Sequence, residues 1–220
     1  MALIPFAEKK LIKPGVNDPK IKARLGILHV DANNSRDLYN WFNGPSGGIE
    51  SHEHIRKDGH AYQYRDTAYE ADANWKANPF AFAVETQGYA DGEWTREQMQ
   101  TIKRSMIWAN LEESMQIPLI VPKRWDGEGW GFHIQFDEWH PEAKACPGKD
   151  RIAQYWDELV PWMKEANVAI EDTILNRADR NLASNVRIER MLELLLTPEQ
   201  RKVASERAAA WLEDHPVHKG

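Results

Sequence analysis

The chain has 220 residues, a formal net charge of −6 and one cysteine, Cys146. This length allows one full domain with a small appendage and excludes a large multidomain machine. The negative charge gives no reason to expect nucleic acid or an anionic membrane as a partner, and a single thiol excludes an intrachain disulfide framework. The sequence shows neither a signal peptide nor an apolar run long enough to span a membrane.

The N-terminal third begins with residues 1–23, where prolines and lysines predict an extended arm lying over the domain surface. From Arg24 the apolar run RLGILHV predicts a buried strand that leads into a loop, with His29 at its end. Ser35 is then expected to cap a short helix that reaches Phe42.

The next predicted element is a β-hairpin in SHEHIRKDGHAYQYRD, where Asp58-Gly59 separates two alternating segments. An Asp-Gly pair favours a tight turn in which both central residues have positive φ. The apolar run PFAFAVETQG predicts a further strand, which ends in a single polar group, Glu85, as the first strand ends in His29.

The sequence from Thr95 to Gln98 is typical of a capping box, and the apolar spacing after it predicts a long helix that stops at Ile117-Pro118. PLIVP, residues 118–122, is a short strand candidate, and a helix is expected from Lys149 to about Lys164.

The order of the elements predicts an α/β fold, a central mixed β-sheet flanked by α-helices with a helical C-terminal extension. The predicted organisation is an arm over 1–23, a main domain over 24–165 and a tail over 166–220. Apolar stripes in the tail favour packing on the main domain or self-association.

Three good zinc ligands, His29, His133 and Cys146, stand at predicted loop edges instead of in one local motif. They can meet only through the fold. Two imidazoles and one thiolate leave one coordination position open, as a catalytic zinc requires.

Several motifs in these segments agree in order and interval with one family. They are LGILH at 25–29, SHEHIRKDG at 51–59, Asn78 seven residues before Glu85, GWGFH at 129–133 and KACPG at 144–148. In these motifs the chain resembles the zinc-dependent N-acetylmuramoyl-L-alanine amidases related to peptidoglycan recognition proteins, especially phage endolysins of that class.

The resemblance implies that His29, His133 and Cys146 bind Zn²⁺. It also implies that Glu85 acts as a base or orients water, and that Lys144, two residues before Cys146, is catalytic. His140, six residues before Cys146, is the alternative second histidine ligand. We favour His133 because it ends a strand-like run.

Some phage relatives carry a tyrosine ahead of a histidine where this chain has Ser51-His52, so Glu85 has more of the chemistry to perform. His52, Trp75 and Asn78 are the predicted substrate-binding residues. His54 and His60, which alternate with His52 along the hairpin, are expected to be surface or indirectly acting imidazoles.

The implied function is hydrolysis of the amide between N-acetylmuramic acid and L-alanine in bacterial peptidoglycan. A phage endolysin would remain in the host cytoplasm until its release at lysis. The alternative is a non-catalytic peptidoglycan-binding module on the same fold. A thiol hydrolase that uses Cys146 as nucleophile is disfavoured, because Pro147 follows it directly.

Overall fold

The structure is a computed structural model that describes residues 3–12, 19–44, 50–140 and 145–175. The chain divides into two units, residues 1–168 and 169–220, and the sheet and the candidate site lie in the first. Within the described ranges, no helix combines the length and the apolar character that crossing a bilayer demands.

Six strands and four α-helices are present in the described residues. The strands are β1 (Glu8–Lys9), β2 (Leu25–Leu28), β3 (Glu53–Ile55), β4 (Ala61–Gln63), β5 (Ala81–Thr86) and β6 (Gly129–Phe132). The helices are α1 (Tyr39–Phe42), α2 (Arg96–Leu111), α3 (Lys149–Gln154) and α4 (Val160–Leu175). A π-helical segment, Tyr155–Leu159, joins α3 to α4, and 3₁₀ segments cover Asp72–Phe80, His133–Gln135 and Asp137–Trp139.

The strands form one mixed sheet in the order β1-β4-β3-β5-β2-β6. Only the β3–β4 pair is antiparallel, and the other neighbours are parallel. The predicted α/β fold with a central mixed sheet is confirmed. The helical run that begins at Lys149 continues to Leu175, beyond its predicted end, and the rest of the predicted tail, 176–220, lies outside the described residues.

One face of the sheet packs against α2 and the helical segment that contains Tyr155. The Phe82 ring lies 6.0 Å from the rings of both Trp108 of α2 and Trp130 of β6, measured between centroids. The Tyr155 hydroxyl donates to the Trp130 carbonyl at 2.5 Å. Gly26 is required here, because a Cβ at this position would overlap the Trp130 indole. This face therefore carries much of the apolar core that holds β2, β5 and β6 in register.

The opposite face carries a second cluster of buried side chains, made by Leu25, Ile27, Ala77, Ala81 and Trp139. The 3₁₀ segments Asp72–Phe80 and Asp137–Trp139 cover it. The apolar cluster ends before the carboxyl ends of the central strands, where the side chains are polar.

The predicted hairpin is confirmed, but its turn differs from the expected one. Gly59 N donates to Arg56 O (2.9 Å) and Arg56 N donates to His60 O (2.8 Å), so the turn begins at Arg56. Among the residues of this turn, only Gly59, with φ +79°, has a positive φ. The glycine thus follows the turn as a bulge residue, which is the usual arrangement of three-residue hairpin loops.

The N-terminal arm contributes to the sheet instead of only lying over it. Lys10 N donates to Gln63 O (3.0 Å) and Ile12 N donates to Tyr64 O (2.7 Å), which continues the pairing of β1 with β4. Ile4 is fully buried and its backbone N–H donates to Gln63 Oε1 at 2.8 Å. The arm covers the edge of β4, which would otherwise be exposed to unwanted pairing.

Two predicted elements are corrected by the structure. PLIVP forms no strand, because Pro118 and Pro122 cannot donate ladder hydrogen bonds. Ser35 does not cap α1, whose N-cap is Leu38 with no side-chain bond. The Ser35 N–H instead donates to Asp31 Oδ2 at 2.8 Å.

The capping box of α2 is confirmed, since Thr95 accepts from Gln98 N and the Gln98 side chain accepts from Thr95 N. The helix nevertheless ends at Leu111, ahead of the predicted stop. Ile117 N turns back to donate to Ala109 O at 3.0 Å, so the segment between them loops over the end of the helix.

Glu53 of β3 is a fully buried carboxyl group beneath α2. Ser105 Oγ donates to Glu53 Oε1 at 2.8 Å, and burial raises the pKa of Glu53 to about 8 from its ordinary 4.5. The folded protein therefore retains a proton that the unfolded chain releases between these values. The contribution of Glu53 to the free energy of unfolding should therefore fall as pH rises from about 4.5 to about 8, by an amount on the order of several kcal/mol.

We expect Glu53→Gln to remove this contribution, because an amide cannot ionise, so that the free energy of unfolding at pH 8 rises relative to its value at pH 5. Urea denaturation of the metal-free protein at pH 5 and pH 8 measures the effect, with the exposed Glu113→Gln as the matched control. An unchanged difference between the two pH values in Glu53→Gln would show that another group is responsible.

Candidate metal centre and active site

The candidate site lies at the carboxyl ends of three adjacent parallel strands. Register pairs Leu28 of β2 with Val84 of β5 and with Phe132 of β6. The next residues along these strands are His29, Glu85 and His133, so the sheet places three polar side chains side by side. Because adjacent parallel strands in register present partner residues on the same face, all three reach one location.

Hydrogen bonds hold both the backbone and the ring of His29. Its N–H donates to Val84 O (2.8 Å), and its carbonyl accepts from the N–H (3.1 Å) and the hydroxyl (2.6 Å) of Thr86. The buried ring has Nε2 2.7 Å from Asn74 Oδ1. An amide oxygen only accepts, so Nε2 carries the proton and Nδ1 is the atom that can bind a metal.

His133 is held in a similar way. Its Nε2 lies 3.1 Å from the carbonyl oxygen of Trp139, which again assigns the proton to Nε2 and metal binding to Nδ1. The His29 and His133 ring centroids are 4.3 Å apart. His140, the alternative ligand, has its ring centroid 5.8 Å from that of His133 and is not part of the donor group that the described residues form.

Cys146 completes the donor group from a separate loop. The Val30 N–H donates to Cys146 Sγ at 3.2 Å. The buried Arg151 of α3 donates to Pro147 O (3.2 Å) and Tyr89 O (2.5 Å), which ties the cysteine loop to the loop after β5. The thiol therefore faces the histidines from a braced segment.

The donor atoms of His29, His133 and Cys146 lie within 4.8 Å of one another. His29 Nδ1 and Cys146 Sγ are 3.8 Å apart. A tetrahedral zinc with bonds of about 2.0–2.3 Å places neighbouring donor atoms about 3.5 Å apart. The residues fit this geometry if the donor atoms approach one another by at most about 1.3 Å, and a set of three donors leaves the fourth position for water or substrate.

Glu85 stands next to this donor group. Its Oε1 is 3.9 Å from His29 Nδ1, and its side chain is mostly buried. The Ser51 Oγ lies 3.5 Å from the same oxygen, so a buried hydroxyl group contacts the carboxylate. The structure thus brings the predicted base to the predicted metal ligands.

His52 is placed differently from its predicted role as a substrate contact. It is fully buried, with Nε2 2.9 Å from Tyr69 O, and Nδ1 accepts from Ala83 N–H at 3.1 Å. Burial lowers the pKa of His52 to about 4, so the ring remains neutral at physiological pH. Both ring nitrogens are used by the backbone, which makes His52 a structural connection between β5 and the segment after β4.

The two other hairpin histidines separate into one buried and one exposed ring. His54 is fully buried with Nε2 3.5 Å from Asp31 Oδ2, which excludes the surface position and leaves the indirectly acting imidazole of the two expected alternatives. His60 is exposed, as predicted, and lies 3.0 Å from Glu8 Oε2.

The remaining predicted residues have different positions. Trp75 is an exposed side chain on the 3₁₀ segment Asp72–Phe80. Asn78 is half-buried, and its Oδ1 accepts from Asn74 N–H at 2.6 Å and so holds that segment. Lys144 lies outside the described residues.

Sequence reasoning missed Asn74, the fully buried residue that contacts His29. Nothing in the local pattern marks it, because its partner lies far away in the chain. The one available signal was its position in the run NWKAN, which precedes the strand of Glu85.

Comparison with known proteins gives one family match. The sequence model of the N-acetylmuramoyl-L-alanine amidase family matches residues 19–149, a range that contains all three metal-ligand candidates. No curated protein matches the sequence.

Solved structures show the same fold at low identity. The N-acetylmuramoyl-L-alanine amidase LysC from Clostridium intestinale aligns with a TM-score of 0.54 and 15% identity, over 71% of this chain and 97% of LysC. Drosophila peptidoglycan recognition protein SA aligns with a TM-score of 0.53 and 12% identity, over 68% of this chain and 91% of its own. A human peptidoglycan recognition protein, solved in complex with glycosamyl muramyl pentapeptide, aligns with a TM-score of 0.53 and 10% identity, over 69% of this chain and 96% of its own.

Proposed function

The chain belongs to the N-acetylmuramoyl-L-alanine amidase family, and on this basis we propose that it is a zinc-dependent hydrolase of bacterial peptidoglycan. The bond cleaved is the amide between the lactyl group of N-acetylmuramic acid and L-alanine. The observation that carries the proposal is the meeting of two histidines and one cysteine beside a carboxylate, at the carboxyl ends of β2, β5 and β6.

The chemistry follows from the donor set and its neighbours. Zinc held by His29, His133 and Cys146 would supply Lewis-acid polarisation of the amide carbonyl and activation of the attacking water. The Glu85 carboxylate is positioned to accept the proton of that water at Oε1. The same proton then goes to the leaving nitrogen, so that cleavage of the C–N bond yields a free amine on L-alanine and a carboxyl group on the glycan, which releases its remaining proton to solvent.

Two further roles belong to this proposal. Lys144 is assigned to the oxyanion that develops on the carbonyl, since a cation near that oxygen lowers the energy of the transition state. The exposed Trp75 ring is assigned to substrate stacking next to the site, because indole faces bind sugars and peptides well.

The biological role that we propose is that of a phage endolysin, which remains in the host cytoplasm until it is released to the cell wall at lysis. The resemblance of LGILH, GWGFH and KACPG to phage amidase motifs supports this role. Peptidoglycan is the proposed partner. Self-association through the tail also belongs to the proposal, and residues 176–220 of that tail lie outside the part of the chain that the structure describes.

The test is mass spectrometry of the products released from purified peptidoglycan, with and without a zinc chelator. We expect free stem peptides that begin at L-alanine, their loss on chelation and their return when zinc is added. Release that is insensitive to chelation would overturn the zinc proposal. Binding to the wall without release, in protein that holds stoichiometric zinc, would favour the non-catalytic module.

A further inference from the structure

The contact between Asn74 and His29 is a short hydrogen bond to the ring of a candidate metal ligand. Asn74 Oδ1 lies 2.7 Å from His29 Nε2, and both side chains are buried. On the other side of the ring, His29 Nδ1 lies 3.8 Å from Cys146 Sγ and 3.9 Å from Glu85 Oε1. The two ring nitrogens therefore face two different environments, an amide on one side and the donor group on the other.

The backbone around Asn74 is built to present this amide inward. The Asn74 N–H donates to Asn78 Oδ1 at 2.6 Å, and Ala73 and Ala77 are buried on either side. Trp75 has φ +48° and ψ −113°, a conformation that costs a non-glycine residue on the order of 1–3 kcal/mol. This departure from helical geometry accompanies an outward Trp75 side chain and a buried Asn74.

We propose that Asn74 is the positioning residue that fixes the tautomer of His29, so that the Nδ1 lone pair points to the metal before the metal arrives. The proposal rests on the zinc centre proposed above. A neutral imidazole carries one proton, and the group bonded to one nitrogen decides which nitrogen remains a ligand. Without the amide acceptor, the proton is free to move to Nδ1, where it must be displaced before zinc can bind.

The first experiment compares zinc affinity in two variants, measured by competition with a chromophoric chelator. Asn74→Leu has a similar volume and no acceptor, and we expect zinc affinity to fall by about 10–100-fold. Asn74→Asp retains an acceptor, and we expect an affinity equal to or above that of the wild type. The exposed Asn40→Leu is the matched control and should leave the affinity unchanged. Wild-type affinity in Asn74→Leu would overturn the proposal.

The second experiment reads the tautomer directly in the metal-free protein, by long-range ¹H–¹⁵N correlation spectra of the histidine rings. The His29 signals are identified by their disappearance in His29→Gln. We expect His29 to be protonated on Nε2 in the wild type and in Asn74→Asp, and to show a mixture of tautomers in Asn74→Leu. A wild-type ring protonated on Nδ1, or an unchanged ring in Asn74→Leu, would contradict the proposal.

These two readouts separate the inference from the zinc centre on which it rests. A wild-type protein that binds no zinc would overturn the proposed function, while the metal-free spectra would still decide whether Asn74 sets the tautomer. Urea denaturation of the metal-free variants completes the comparison: a merely structural role would lower the stability of Asn74→Leu without changing the His29 tautomer.

Discussion

Cys146→Ala is expected to lower zinc affinity by more than about 100-fold and to abolish measurable release of stem peptides. The reason is that the variant loses the only sulfur donor, whereas loss of an outer hydrogen bond alone costs about 10–100-fold. Zinc content after dialysis and the rate of peptide release from purified peptidoglycan measure the two effects on the same sample.

Matched variants test the other ligands. His133→Ala should also lose zinc, because its Nδ1 belongs to the donor group. His140→Ala should keep zinc, since His140 is not part of the donor group and its ring centroid lies 5.8 Å from that of His133. Full zinc in His133→Ala together with its loss in His140→Ala would transfer the ligand role to His140.

Glu85→Gln is expected to keep its zinc and to reduce the rate of peptide release by about 10²–10⁴-fold. The amide has nearly the same shape as the carboxylate but cannot accept the proton of the attacking water at neutral pH, and a positioned acid–base group contributes a factor of this size. Steady-state rates at saturating peptidoglycan, normalised to bound zinc, provide the measurement.

The exposed Glu97→Gln is the control for Glu85→Gln, and it should have the wild-type rate. Unchanged turnover in Glu85→Gln would remove Glu85 from the mechanism. Loss of zinc in that variant would instead identify Glu85 as a metal ligand. The experiment has to distinguish these two roles, because Glu85 Oε1 lies only 3.9 Å from His29 Nδ1.

The meeting of the candidate ligands was predictable from the resemblance of their motifs to one family, and the fold supplies a physical reason for it. His29 and His133 each end an apolar run, and parallel strands have their carboxyl ends at one edge of a sheet. Cys146 was chosen from its residue type and its motif, since no periodicity marks the loop that carries it. The hairpin and the capping box of α2 were predictable because their signals lie within a few residues of one another.

What the sequence did not reveal depends on long-range neighbours. His52 alternates with His54 along a short strand, but only the position of β3 in the sheet interior shows that both rings are buried. Asn74 has its meaning only beside His29, which the fold brings to it from a distant segment. PLIVP has a strand-like composition, and its two prolines exclude it from the ladder.

The sheet order has a consequence for how the protein would respond to metal supply. Neighbouring β2 and β6 bring together donors that lie roughly a hundred residues apart in the chain, so the unfolded polypeptide offers no comparable site. Zinc would then bind almost only to the folded form. Above saturation, each tenfold rise in free zinc would add about 1.4 kcal/mol to the free energy of unfolding. Metal availability would thus set the fraction of the protein that is folded as well as its chemistry.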